Sequence, residues 1–172
     1  MTATPTWYEQ NGTAAGTPAA GTQSTVSAIE WKSVDDSTTS RASAPIQAGS
    51  NSYTKYNYVG FTGTFNQISA VKFAHTAGTF GTGITLVGKI TSTYTTPSTA
   101  ALASSSDITG TTAIGSGASV LLGTTGPNDT SPASSQTTNC FTQYIVTQMQ
   151  TTAGANAGDT ATATLTVQYN EN

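Results

Sequence analysis

A chain of 172 residues fits one domain, and a formal net charge of −3 with five scattered cations (Lys32, Arg41, Lys55, Lys72, Lys89) offers no basic stripe for nucleic acid. Threonine supplies 37 residues and serine 19, while 8% are charged, so hydroxyls rather than charges wet the surface. One His, one Cys and eight carboxylates leave few of the groups that catalysis uses.

Threonine is β-branched and suits a pleated, half-exposed surface. Ile, Leu, Val and Phe total 26 of 172 residues, below the roughly 20% of an ordinary core. Seven Tyr, two Trp and five Phe can make up part of the difference. A lean core of this kind is often completed by other subunits, which predicts a homo-oligomer.

Residues 1–23 carry Pro5, Gly12, Gly16, Pro18 and Gly21 without a sustained period and are expected to form an extended N-terminal arm. Trp7 and Tyr8 are its large apolar groups and are the expected partner-binding residues. The start of the chain has neither a basic segment nor an apolar core, so no signal peptide is expected. No apolar stretch approaches the ~20 residues of a membrane span.

Residues 24–172 are expected to form a single β-sandwich domain. Residues 26–31 read as a first strand, with Ile29 and Trp31 on one face, and residues 52–61 as an aromatic one. Between Phe65 and Phe73 the apolar positions change parity, which predicts a β-bulge near Asn66–Gln67. Residues 84–90 alternate after a glycine-rich turn, and 120–122 form a short strand between long Ser/Thr/Gly loops at 98–118 and 124–138. Residues 141–149 are apolar on both faces, as in an interior or covered strand. Residues 161–169 put Leu165, Val167 and Tyr169 on one face and threonines on the other. The last two strands are expected to pair across the glycine-containing connection 151–159. No window carries a helical stripe. The fold class is therefore all-β, an antiparallel β-sandwich with jelly-roll or immunoglobulin-like strand order.

Candidate chemistry is sparse. His75 reads as a solvated histidine at a strand end rather than a general base. The pairs Asp35–Asp36 and Asn128–Asp129 are oxygen-rich turns, but Asx residues in turns bond their own backbone and neither pair has calcium-loop spacing. Asp107 and Asp159 adjoin turns with nothing to place them in one cleft. The sequons at Asn11 and Asn128 are chance matches in so threonine-rich a chain, and Gly81-x-Gly83 lacks the following helix of a phosphate loop. Cys140 reads as a small buried hydrophobe. The expectation is no catalytic residue, no cofactor and no metal.

The stretch Ser52-Tyr-Thr-Lys-Tyr-Asn-Tyr-Val-Gly-Phe-Thr-Gly-Thr-Phe-Asn-Gln-Ile-Ser-Ala-Val-Lys-Phe73 resembles tailed-bacteriophage virion proteins of the capsid surface. Tyr94-Thr-Thr-Pro97, Gln148-Met-Gln-Thr-Thr152 and the ending Gln168-Tyr-Asn-Glu-Asn172 add to the similarity. The resemblance implies a cement or decoration protein, often trimeric, made in the host cytoplasm. It would bind the major capsid protein lattice and act without enzymatic activity, membrane or nucleic acid. The alternative is a receptor- or glycan-binding module of a tail fibre or adhesin, in which Tyr53, Tyr56, Tyr58 and Trp31 would stack on sugar rings.

Overall fold

The computed structural model describes residues 2–13, 22–115, 117–156 and 163–172. These hold strands β1 (Ala3–Asn11), β2 (Thr22–Thr25), β3 (Lys55–Gly63), β4 (Ile68–Ala77), β5 (Ile84–Thr91) and β6 (Ser106–Asp107). There follow β7 (Thr112–Ile114), β8 (Leu122–Gly123), β9 (Ser135–Gln136), β10 (Cys140–Thr142), β11 (Tyr144–Thr151) and β12 (Thr164–Glu171). The larger sheet runs β2-β1-β3-β11-β5-β6, with β10 on β3 and β8 on β10; the smaller runs β12-β4-β7, with β9 on β4. Every pairing is antiparallel. The two sheets pack through Trp7 on Phe73 and Phe61 on Tyr169, so the fold is the expected all-β sandwich.

Both faces of the larger sheet are covered. Val59, Phe61 and Ile145 point into the core between the sheets with Ile68, Val71 and Phe73. Tyr56, Tyr58, Tyr144 and Val146 form a second cluster on the opposite face, with Tyr8, Tyr94, Leu102 and Phe141 packed against it. The apolar character of both faces of β11 is the sequence trace of this arrangement. Each of four phenols also ties down a different segment. Tyr56 Oη meets Thr95 Oγ1, Tyr58 Oη donates to Gln23, Tyr94 Oη to the Gly12 carbonyl and Tyr144 Oη to Gln10. Aromatic volume with a polar tip thus substitutes for missing aliphatics.

The N-terminal segment departs from the expected arm. Residues 3–11 are extended, but as a strand within the sheet, in register with β3 from Ala3↔Gly63 to Gln10↔Tyr56. The pleat sends Trp7 to the inter-sheet core and Tyr8 to the tyrosine cluster. Two covered faces leave no apolar alternation to read, which is why the segment resembles an arm in sequence. Residues 14–21 of that segment lie outside the described residues.

Three other expectations are corrected. Residues 26–31 are not a strand: Val26 N–H still bonds the Trp7 carbonyl, and the chain then leaves the sheet to cover its inner face. The irregularities lie in β4, where Ala70–Val71 and then Thr76 bulge against β12, rather than at Asn66–Gln67. Ala70 supplies the turn with a φ of 52°, while Asn66 and Gln67 precede the strand and donate their N–H groups to the Asn172 carbonyl. Finally, β11 and β12 do not pair, because β11 belongs to the larger sheet and β12 to the smaller.

Candidate functional site

The inner face of the larger sheet changes character along its strands. Trp7, Val59 and Phe61 lie under the smaller sheet, whereas Glu9, Asn57 and Lys55 continue the same face beyond it. All three of these polar residues are buried. The irregular segment 26–50 is what covers them.

Lys55 Nζ lies 2.9 Å from Glu9 Oε1 and donates to the Asp36 carbonyl at 3.1 Å. Asn11 Nδ2 donates to Glu9 Oε1 at 2.9 Å and to Asp35 Oδ1 at 2.8 Å, and Asp35 Oδ2 accepts the Gly12 N–H. Lys32 Nζ, also buried, bonds Asp36 Oδ1 at 3.0 Å and the Thr39 carbonyl. Asp36 in turn accepts the hydroxyl and N–H of Thr39 and the N–H of Thr38. The Thr39 hydroxyl foremost, then its N–H and Lys32, holds that carboxyl well below the usual range. The lysines and carboxylates therefore bolt residues 32–39 onto the sheet. The sequence signal was a lone Lys55 within an aromatic strand.

Beside this cluster lies a cleft of about 1160 Å³ between segment 26–48 and the start of β12. Trp7, Ile29, Trp31, Ile46, Met149 and Leu165 line it. Its volume is that of a ligand-sized cavity. Trp31 is fixed by its indole N–H on Thr147 Oγ1 at 3.0 Å.

The expected partner-binding pair is split by the pleat. Trp7 is half-buried, lines the cleft and packs on Phe73 with ring centroids 5.6 Å apart. Tyr8, also half-buried, stacks on Tyr58 at 5.0 Å on the other face of the sheet. The two rings do not form one patch. Of the aromatics considered for sugar stacking, Tyr56 and Tyr58 are buried. Tyr53 and Trp31 are half-buried, and Trp31 lies on the inner face.

His75 is not a solvated loop residue. It is 1% exposed within β4, with Nδ1 2.8 Å from the Ile108 carbonyl and 3.0 Å from that of Gly110, and Nε2 2.8 Å from that of Ala77. A strand end close to glycine looked open in sequence, but the non-local loop 108–110 closes over it. Asp129 accepts the N–H groups of Ser131, Thr125 and Thr124, which lower its carboxyl to about 2. Asp107 is lowered by the Thr109 hydroxyl and N–H. Both carboxylates serve Asx-type turns. Among the described residues no three His, Cys, Asp or Glu side chains gather around a metal-sized space. Asn11 is buried, which is no place for a glycan, and Asp159 lies outside the described residues.

Cys140 is fully buried, and burial pushes its thiol up to about 11. Native protein should therefore leave a thiol-specific aromatic disulfide unreacted and release one equivalent of thiolate only on denaturation. Labelling of folded protein at the rate of a free thiol would contradict this placement.

No family model, curated protein or solved structure matches this chain.

Proposed function

We propose that this chain is a non-enzymatic structural protein of a phage virion, a cement protein that binds the assembled major capsid protein lattice and stabilises the head. The observation that carries the reading is where the ionisable groups are used. The imidazole of His75 faces three backbone carbonyls, Glu9 and Lys55 are paired in the interior, and Asp36, Asp107 and Asp129 fasten turns. These groups hold the chain's own segments together. The outward-facing side chains of β12, Thr164, Gln168 and Asn170, are uncharged and exposed. The resemblance of residues 52–73 to capsid-surface proteins gives such a scaffold its setting.

A protein that binds only the assembled lattice stabilises it by mass action, about 2.7 kcal/mol per site at a free concentration 100-fold above Kd. Several copies acting together add through effective concentration. Purified protein should co-sediment with assembled capsids, raise their melting temperature and ignore unassembled capsid subunits. Equal binding to free subunits, or none to capsids, overturns the proposal.

A further inference from the structure

The smaller sheet ends on β12, whose outer edge has no strand partner among the described residues. An open edge is a row of backbone donors and acceptors spaced for another extended chain. Natural edges are blunted by proline, charge or bulges on the strand itself. β12 has none of the first and last: it reads Thr-Leu-Thr-Val-Gln-Tyr-Asn-Glu, and the bulges of the β4–β12 pair lie on the β4 side. Its one charge, Glu171, is at the end and accepts the Ala3 N–H at 2.9 Å.

The first strand shows the contrast. β2 pairs β1 only from Tyr8 to Asn11, so residues 3–6 of β1 present another open edge among the described residues. That edge is blunted. Pro5 has no N–H to offer, and the Ala3 N–H is already taken by Glu171. Of these two edges, only that of β12 lacks such protection.

We infer that the β12 edge pairs with β12 of a second copy of this chain, antiparallel about a twofold axis, joining the two smaller sheets into one. Three features of the strand select its own copy. Leu165, Val167 and Tyr169 pack against the inter-sheet core on the strand where the sheet stops and remain half-buried, Leu165 also lining the cleft. A second β12 places the same apolar row alongside and continues the core across the junction. The outward residues Thr164, Gln168 and Asn170 are exposed and uncharged, so no like charges face each other across the pairing. The antiparallel arrangement also sends the two copies of Glu171 to opposite ends. This contact is independent of capsid binding and is tested without capsids.

Sedimentation velocity on the full chain should show a dimer that dissociates on dilution. Hydrogen exchange in 164–170 should slow as protein concentration rises. The double variant T164K/Q168K puts four lysines within cross-strand reach at the junction and should be monomeric at concentrations where the parent is dimeric, with an unchanged far-UV spectrum. As a second variant, T164E/Q168E alone should also be monomeric, and an equimolar mixture with T164K/Q168K should recover dimers. A parent that stays monomeric at all concentrations overturns the inference. So does a dimer or larger oligomer that the lysines leave intact, since its contact then lies elsewhere.

Discussion

Replacing Lys55 by Met lowers the folding stability by about 3–5 kcal/mol, the range for removing one partner of a buried ion pair. The ammonium is fully buried and Glu9 nearly so. Methionine fills the same volume, so packing changes little and the loss is electrostatic. Glu9 is left facing Asp35, since Asn11 bridges both carboxylates, without the ammonium that paired it. The Asp36 carbonyl loses its donor as well, which loosens the 32–39 segment over the sheet. Adding E9Q to K55M removes the stranded charge while keeping an oxygen for Asn11. The double variant should recover at least half of the loss, because much of the single-variant cost is an uncompensated charge rather than a lost attraction. Urea denaturation with an unchanged slope measures both. A K55M loss below about 1 kcal/mol, the scale of an exposed pair, would falsify the buried placement of this cluster.

Much of the architecture was legible because strand periodicity is local. The alternation of β12 and the two-sided apolar pattern of β11 both appear in the sheets with the faces expected. What was not legible depends on what covers a face. Residues 3–11 look like an arm because Trp7 and Tyr8 are neighbours in sequence but occupy opposite buried faces. His75 looks solvated because the carbonyls around its Nδ1 come from residues 33 and 35 positions away. Residues 26–31 carry strand-like apolar residues, yet Trp31 is needed as a plug over Thr147 rather than as part of a ladder. The ionic cluster follows the same rule. Glu9, Lys32, Asp35, Asp36 and Lys55 come from three separate segments, and only the fold brings them together. The lean aliphatic count was visible at once, but its remedy, a tyrosine cluster on the second face of the sheet, depends on β3 and β11 lying side by side.

Alkaline solution is expected to unfold this protein through that tyrosine cluster. Burial, with a smaller contribution from Tyr8, raises the Tyr58 phenol to about 12. Burial first, then neighbouring charges and phenols, raises Tyr94 and Tyr144 further still. The sign follows from linkage. A phenol that holds its proton more tightly in the folded chain than in the unfolded one adds stability that is intact below its ordinary value of 10 and is lost as pH climbs through the folded value. For Tyr58 alone, ordinary and folded values of 10 and about 12 correspond to roughly 3 kcal/mol once both are passed. Tyr144 packs edge to face on Tyr58 and at a tilt on Tyr94, with centroids 5.8 and 5.7 Å apart, so burial and each neighbouring phenolate oppose ionisation in the folded chain, whereas unfolding frees all three phenols at once. Above pH 10, therefore, phenolate absorbance from these residues should rise in one cooperative step together with the loss of near-UV circular dichroism. Y144F keeps the ring but removes one ionising group and its bond to Gln10. It should lower stability at neutral pH by about 1 kcal/mol, the net value of one hydrogen bond, and move the alkaline transition to higher pH relative to that new baseline. Independent titration of Tyr58, Tyr94 and Tyr144 near pH 10, with the near-UV spectrum unchanged, would show that the second face of the sheet is open to water and that the cluster is not a core.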